Sequence, residues 1–301
     1  MLRFPRISTL VLTALFATLL SAAVAMASPG AQTAPGLGSA ASFAVLGGQT
    51  VTNTGPTTIF GDLGVSPGSA ITGFPPGSVT GGATHAADAV ALQAQSDVTT
   101  AYNALTSEPC TGTNVALSGA TLTPGVYCYT SSAQLTGALT LNAQGNAAAV
   151  FIFKTVSELT TASNSSVSVI NGGTACNVFW QVGSSATVGT TTQFVGNILA
   201  LTSIALQTGA SVSGRALARN GAVTMDTNNV TILGCPGAPA APTTPTTPTG
   251  PGFPSTGGAP LESGGFSWTL VLVASVMGSL GAAVLVLSAL GLSAQLHRRR
   301  E

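Results

Sequence analysis

The pattern of apolar and polar positions repeats with a short period in residues 187–234. The segment TTTQFVGNILAL (190–201) aligns with TGASVSGRALAR (208–219) at an offset of 18 residues, which places Gly196 on Gly214 and Leu199 on Leu217. A third copy begins at Asp226. Such repeats of β-branched, small and glycine residues are typical of β-solenoids, in which a coil buries its apolar side only by stacking on another. The pattern therefore predicts stacked parallel strands with ladders of equivalent side chains.

Other parts of the chain predict further coils and one helix. Short strand-like runs lie in residues 37–82 and again from Val126 to Leu201. Between them, residues 84–105 carry small apolar side chains at a period near 3.6, which predicts one amphipathic helix. Residues 108–124 are rich in turn-forming residues, and we expect them to cap one end of the solenoid. The predicted fold class is therefore all-β with one long helix.

The two ends of the chain predict export and anchoring. Residues 1–27 have a basic start, an apolar centre and a small-x-small end, which indicates a signal peptide followed by a short lead segment, 28–36. An uncleaved anchor helix is the alternative. Residues 266–294 are apolar and long enough to span a bilayer, and the basic tail 295–301 places that end in the cytoplasm. A buried core helix is the alternative there.

A stalk and a sorting motif precede the predicted span. Residues 236–252 are rich in Pro and Thr and could extend roughly 45 Å as polyproline. The motif FPSTG (253–257) resembles the sortase signal LPxTG, with Phe in place of Leu. That resemblance implies cleavage between Thr256 and Gly257 by a sortase, with Thr256 joined to peptidoglycan. The alternative is a membrane anchor through the apolar span alone, and both place the main chain outside the cell.

Composition and charge narrow the class of protein. The chain has 301 residues, of which 45% are hydrophobic and only 5% charged, with 37 glycines. This balance favours a β-rich extracellular protein. Between the signal and the span, three basic residues face seven acidic ones, a net charge of −4. A nucleic-acid partner is therefore excluded, since phosphate binding needs a basic surface.

All four cysteines lie in the predicted exported part, and they allow three pairings. We favour Cys110 with Cys128, which closes a short loop, and Cys176 with Cys235, which pins the chain end to the solenoid. A metal site is disfavoured, because the spacing is not CxxC and the exported part has a single histidine.

No arrangement for catalysis is present in the sequence. The segment GVSPG (64–68) fits the nucleophile-elbow pattern GxSxG, but the elbow needs a strand-turn-helix context with a later acid and histidine. The one exported histidine, His85, stands instead at the predicted helix start. Carboxylates are scattered, which disfavours polysaccharide lyase or hydrolase chemistry. We therefore predict no enzyme, no catalytic residues and no cofactor.

Several ordered motifs in residues 37–235 resemble the ice-binding protein family with the DUF3494 domain. They are TGALTLNAQGNAAAVFIF (136–153), LTTASNSS (159–166), ACNVFWQVGSSA (175–186), VGNILALTSI (195–204) and GRALARNGAVT (214–224). The resemblance implies a right-handed, discontinuous β-helix, whose early and late coils assemble out of sequence order with one long helix alongside.

The resemblance also implies adsorption to an ice surface through one flat face with the loose motif T-A/G-x-T/N. The candidate residues on this chain are Thr54, Thr57, Thr161, Asn164, Thr190, Thr192, Thr208 and Ser211. Rigid threonines offer a methyl and a hydroxyl at regular spacing, which can order water into an ice-like layer. The alternative is a structural or adhesive module for a glycan or another cell, without ice activity.

Overall fold

The computed structural model describes residues 32–239, which form three parallel β-sheets wound into a solenoid. Within this range no helix is both long and apolar enough to cross a membrane. The predicted signal peptide (1–27), the sorting motif (253–257), the span (266–294) and most of the stalk lie outside the described residues.

The strands are numbered β1 to β24 along the chain, and successive coils contribute strands to sheets A, B and C in turn. Sheet A has the order β7 (Thr84–Ala86), β4 (Asp62–Val65), β1 (Phe43–Gly47), β22 (Ala216–Ala218), β19 (Asn197–Ala200), β16 (Val178–Val182), β13 (Phe151–Thr155), β10 (Gly125–Tyr129), β8 (Gly112–Thr113). Sheet B has the order β11 (Ala133–Leu135), β14 (Leu159–Thr161), β17 (Ala186–Val188), β20 (Ile204–Leu206), β23 (Val223–Asp226), β2 (Thr50–Thr54), β5 (Ala70–Thr72). Sheet C has the order β6 (Ser78–Thr80), β3 (Thr58–Phe60), β24 (Asn229–Thr231), β21 (Ser211–Ser213), β18 (Gln193–Val195), β15 (Ser166–Ile170), β12 (Ala138–Asn142), β9 (Thr121–Leu122).

The solenoid is discontinuous, as the resemblance implied. The first coil stacks on the last one, because β1, β2 and β3 pair in parallel with β22, β23 and β24. Val45 thereby faces Ala216, and Thr52 faces Thr224. At the far end, two short strands from segment 108–124 form the outermost strands of sheets A and C, in the position expected of a cap.

Large aromatic residues form a column inside the solenoid. Phe153 stacks on Trp180 with ring centroids 4.0 Å apart, and Tyr127 and Phe194 extend the column on either side. Phe153 and Trp180 are both buried. Phe179 is also buried, but it points outward from sheet A into a second cluster beneath the helix.

The single α-helix, α1 (Ala89–Ser107), begins later than predicted. Residues 84–86 form strand β7 beside β4, so the predicted start at residue 84 is wrong. The helix start is set by Asp88, whose carboxylate accepts a hydrogen bond from the Ala91 backbone N–H at 2.8 Å. This hydrogen bond lowers the pKa of Asp88, and a bond to His85 adds to the effect.

Helix α1 covers the outer side of sheet A. Its buried face includes Ala91, Ala94, Val98, Ala101 and Leu105, and the small side chains let the helix axis lie close to the sheet.

Gln95 of α1 spans the joint between the first and last coils. Its side-chain amide donates to the carbonyl of Gly47 at 2.9 Å and to that of Ala218 at 3.0 Å, at the ends of β1 and β22. The helix therefore fastens the joint that makes the solenoid discontinuous.

Both predicted disulfides are confirmed. Cys110 is bonded to Cys128 and Cys176 to Cys235, and no cysteine is free.

The glycines matched in the sequence repeat stack at the corner between sheets C and A. Gly214 has φ +143°, and a Cβ there would collide with the carbonyl oxygen of Gly196 in the neighbouring coil. We predict that Gly214→Ala lowers the free energy of unfolding by about 1–3 kcal/mol, because the backbone must shift and the conformation disfavours a side chain. Urea denaturation measures this. Gly36→Ala is the matched control, since no heavy atom lies within 4 Å of its added Cβ; equal losses in both variants would contradict the account.

Candidate functional site

Two of the three sheets have open outer sides. Sheet A is shielded by α1, whereas the outer sides of sheets B and C have no helix over them in the described range. Along sheet B each strand alternates buried and outward side chains. Sheets B and C are therefore the candidate binding faces.

One row of outward residues crosses all seven strands of sheet B. In strand order it consists of Gln134, Thr160, Thr187, Ala205, Thr224, Thr52 and Thr72, and adjacent members are partners in the strand register. We call this set the threonine row. Neighbouring strands lie about 4.8 Å apart, so its side chains repeat at that spacing.

The threonine row is stiff and free of charge. Threonine has a restricted χ1 angle, and each member sits in a strand paired on one or both sides. The flanking residues of the strand point inward and are buried, as Ile204 and Leu206 are around Ala205. Asp226, at the end of β23 and outside the row, is the only charged residue on any sheet-B strand.

Sheet C presents a less regular outer surface. Its strands also carry no charge, but the row in register across it reads Ala138, Ser166, Gln193, Ser211, Asn229, Thr58, Ser78. A second row contains Val195 and the half-buried Phe60. Side chains of such different lengths cannot form an even plane, so sheet B is the better candidate.

Five of the eight sequence-predicted residues reach the surface, close to the corner between sheets B and C. Thr54, Asn164 and Thr208 are exposed, and Thr190 and Ser211 are half-buried. Neighbouring coils tie some of these side chains together. The Thr208 hydroxyl donates to the Asp226 carboxylate, and the Ser211 hydroxyl donates to Gln193 Oε1 at 2.6 Å.

The other three predicted residues are corrected by the structure. Thr57 and Thr192 are completely buried, and Thr161 is 7% exposed. Their hydroxyls satisfy backbone groups inside the corner: Thr57 Oγ1 accepts from the Asn228 N–H at 3.0 Å, and Thr192 Oγ1 donates to the Ala162 carbonyl at 3.0 Å. They cannot form part of an outer face.

Matching the short motif failed because it ignored the register of the turns. Asn164, Thr191 and Gly209 have positive φ and occupy the same place in successive turns. On that alignment the match beginning at Thr161 is two residues out of step with the match beginning at Thr208. The sequence motif also missed every member of the threonine row. A usable signal was a threonine between two core residues, as in Ala186-Thr187-Val188 and Val223-Thr224-Met225.

One cavity of the described region lies away from the threonine row. It has a volume of about 370 Å³ and is lined by Lys154, Gln181 and the Cys110–Cys128 disulfide, on the sheet A side of the molecule. Among residues 32–239, no three His, Cys, Asp or Glu side chains are placed to hold a metal ion.

Three parallel sheets, one covering helix and a row that contains five threonines define a β-solenoid with one uncharged candidate face. A family model described as Ice-binding-like matches residues 45–231, and the chain belongs to that family. The family is non-enzymatic.

Similar proteins carry the same description. An ice-binding protein of Nostoc sp. (strain HG1) is 60% identical over 200 residues, covering 65% of this chain and 73% of that protein. A crystal structure of an ice-binding protein from the Antarctic ascomycete Antarctomyces psychrotrophicus has a TM-score of 0.64 and 44% identity, covering 66% of this chain and 98% of that one. The DUF3494 domain of Shewanella frigidimarina ice-binding protein 1 has a TM-score of 0.61 and 33% identity, covering 66% and 97% of the two chains.

The buried threonines lead to a test of the corrected site. We predict that Thr192→Val lowers the free energy of unfolding by about 1 kcal/mol, because the Ala162 carbonyl loses its hydroxyl donor in a buried place. Thr190→Val, two residues away and half-buried, is the control and should stay within about 0.5 kcal/mol of the parent. Chemical denaturation of both variants measures the difference. Equal stabilities would show that the Thr192 hydroxyl is dispensable.

Proposed function

We propose that this protein adsorbs to ice through the threonine row of sheet B. The observation that carries the proposal is the register itself: five threonines from five coils stand in one row across seven paired strands. The family membership and the names of the relatives support the same target.

The chemistry of the row suits an ice surface. Each threonine offers a methyl group, over which water forms a cage, and a hydroxyl that joins the hydrogen-bond network. Because the strands and the β-branched side chains are already ordered, little conformational entropy is lost on adsorption. Charged groups would hold hydration shells that do not fit a crystal, and the row has none.

A glycan-binding role has weaker support. Sugar rings commonly stack on exposed aromatic side chains, but every Phe, Tyr and Trp within residues 32–239 is buried or half-buried. The large rings, including Phe153, Trp180 and Phe194, are buried in the aromatic column inside the solenoid. We therefore advance ice adsorption alone.

The decisive variant places a bulky ring in the middle of the row. We expect Thr224→Tyr to lose most of the thermal hysteresis and crystal shaping of the purified protein, because the ring holds the plane of the row away from ice. Thr58→Tyr, at an exposed threonine of sheet C, is the matched control and should retain both activities. Crystals are watched under a nanolitre osmometer, and circular dichroism checks folding. If Thr224→Tyr keeps full activity and Thr58→Tyr loses it, the site lies on sheet C. If neither the parent nor the control shows any activity, ice adsorption is refuted.

We further propose that the protein is exported and held at the cell surface by its C-terminal segment. The supporting features are the signal-like residues 1–27, the FPSTG motif and the apolar residues 266–294. The two disulfides agree with an oxidising compartment. On this proposal sortase, peptidoglycan and the membrane are partners, and the threonine row serves to attach the cell to ice.

Fractionation in a sortase-containing bacterial host tests the anchor. We expect the parent protein to stay with the cell wall after boiling in detergent and to be freed by muralytic digestion. The Thr256→Ala variant should be absent from the wall fraction, because the residue that sortase would join to peptidoglycan is changed. Ser255→Ala, at the variable position of the motif, should behave as the parent. Solubilisation of the parent by detergent alone would favour the membrane anchor without sortase.

A further inference from the structure

The most deeply buried charge of the described region has no role in the binding face. Arg215 follows β21 and is only 1% exposed, and burial lowers its pKa to about 10. None of its hydrogen-bond partners is a carboxylate. Its guanidinium donates to the carbonyl of Ala41, to the carbonyl of Pro236 at 2.9 Å and to Asn197 Oδ1 at 2.9 Å. Arg215 therefore joins the N-terminal segment, a middle strand and the residue directly after Cys235.

A covalent link lies within the same network. Cys235 is bonded to Cys176, which precedes it by 59 residues. The amide of Asn197, which is fully buried, donates to the carbonyls of Cys176 and Val178 at 3.0 and 3.1 Å. Disulfide, arginine and asparagine thus meet where the chain leaves the last coil. Gly237 also lies tightly against Ala41, because an added Cβ would meet the Ala41 backbone at 2.7 Å.

The position of this network determines which strands carry the tension when the C-terminal segment is pulled. The last coil, β22 to β24, lies inside the stack, between the coil of β19 to β21 and the coil of β1 to β3. Without a link, tension after Cys235 would act first on β24, a strand of three residues. With the link, tension passes to Cys176 and bypasses all three coils from β16 to β24. Those coils contain Thr187, Ala205 and Thr224 of the threonine row.

We propose that the Cys176–Cys235 disulfide, with Arg215 as a second attachment to Pro236, is a mechanical junction that keeps tension on the C-terminal segment from unwinding the coils that carry the threonine row. The physiological load rests on the proposed surface anchoring, since a cell attached to ice pulls through that segment. The mechanical property itself belongs to the folded chain and is measured without ice.

Single-molecule force spectroscopy of the full chain tests the junction. One handle is attached C-terminal to Cys235, and the other is a short peptide inserted at Gly145, an exposed turn with no heavy atom within 4 Å of an added Cβ. In the double variant Cys176→Ser/Cys235→Ser we expect loss of the high-force first event, replaced by stepwise release at lower force. The total extension should grow by roughly 200 Å, the length of the 59 residues no longer closed off.

The second disulfide provides the matched control. Cys110→Ser/Cys128→Ser removes a link outside the pulled segment and should leave the first event at the parent force. Adding Arg215→Lys to the first double variant should lower the force again, because lysine cannot reach Ala41, Asn197 and Pro236 together. If the parent and Cys176→Ser/Cys235→Ser unfold first at the same force, the disulfide is not a mechanical junction. If adding Arg215→Lys lowers the force no further, Arg215 is not part of the junction. Neither result depends on whether the threonine row adsorbs to ice.

Discussion

The pairing of the first coil with the last is the contact on which the rest of the structure depends. A parallel strand left at the edge of a sheet exposes its backbone N–H and C=O groups, and this joint satisfies them for two coils at once. Loop closure over the whole repeat region costs entropy, although that cost grows only slowly with length. Helix α1 offsets part of it by lying over the joint, where Gln95 bonds to the carbonyls of Gly47 and Ala218.

The binding face inherits its continuity from this joint. Thr52 and Thr72 come from the first coils, and Thr160, Thr187 and Thr224 come from the later ones. They stand in one row here because β2 pairs with β23. A chain wound in simple sequence order would instead place Gln134 beside Thr72, within the row. The out-of-order topology therefore sets Thr52 beside Thr224 and leaves Gln134 in the edge strand β11.

The local pattern of apolar and polar residues was enough to predict the class of fold. Locating the candidate site also required the strand register. Residues 84–105 carried a 3.6 period strong enough to reveal the helix, although Asp88 set its start by capping and residues 84–86 paired with β4 instead. The stacking of first coils on last ones came from the family resemblance, since nothing in the local periodicity reports a pairing between Val45 and Ala216. The cysteine pairing was one choice among three, favoured by the short loop between Cys110 and Cys128 and by the pinning of the chain end through Cys176 and Cys235. Nothing in the sequence indicated that Arg215 is buried among carbonyl groups.

Threonine serves two opposite purposes in this chain, and the turn geometry decides which. A hydroxyl that points into a corner, as in Thr57 and Thr192, replaces water for backbone groups that the turn leaves unpaired. A hydroxyl that points out from the middle of a strand remains available to solvent, as in Thr224. The two sets differ in position relative to the residue of positive φ, while their local composition is similar. Because inward and outward threonines occur within a few residues of each other, counting threonines cannot locate the face. Only the strand register separates the hydroxyls that hold the coils together from those that meet the surroundings.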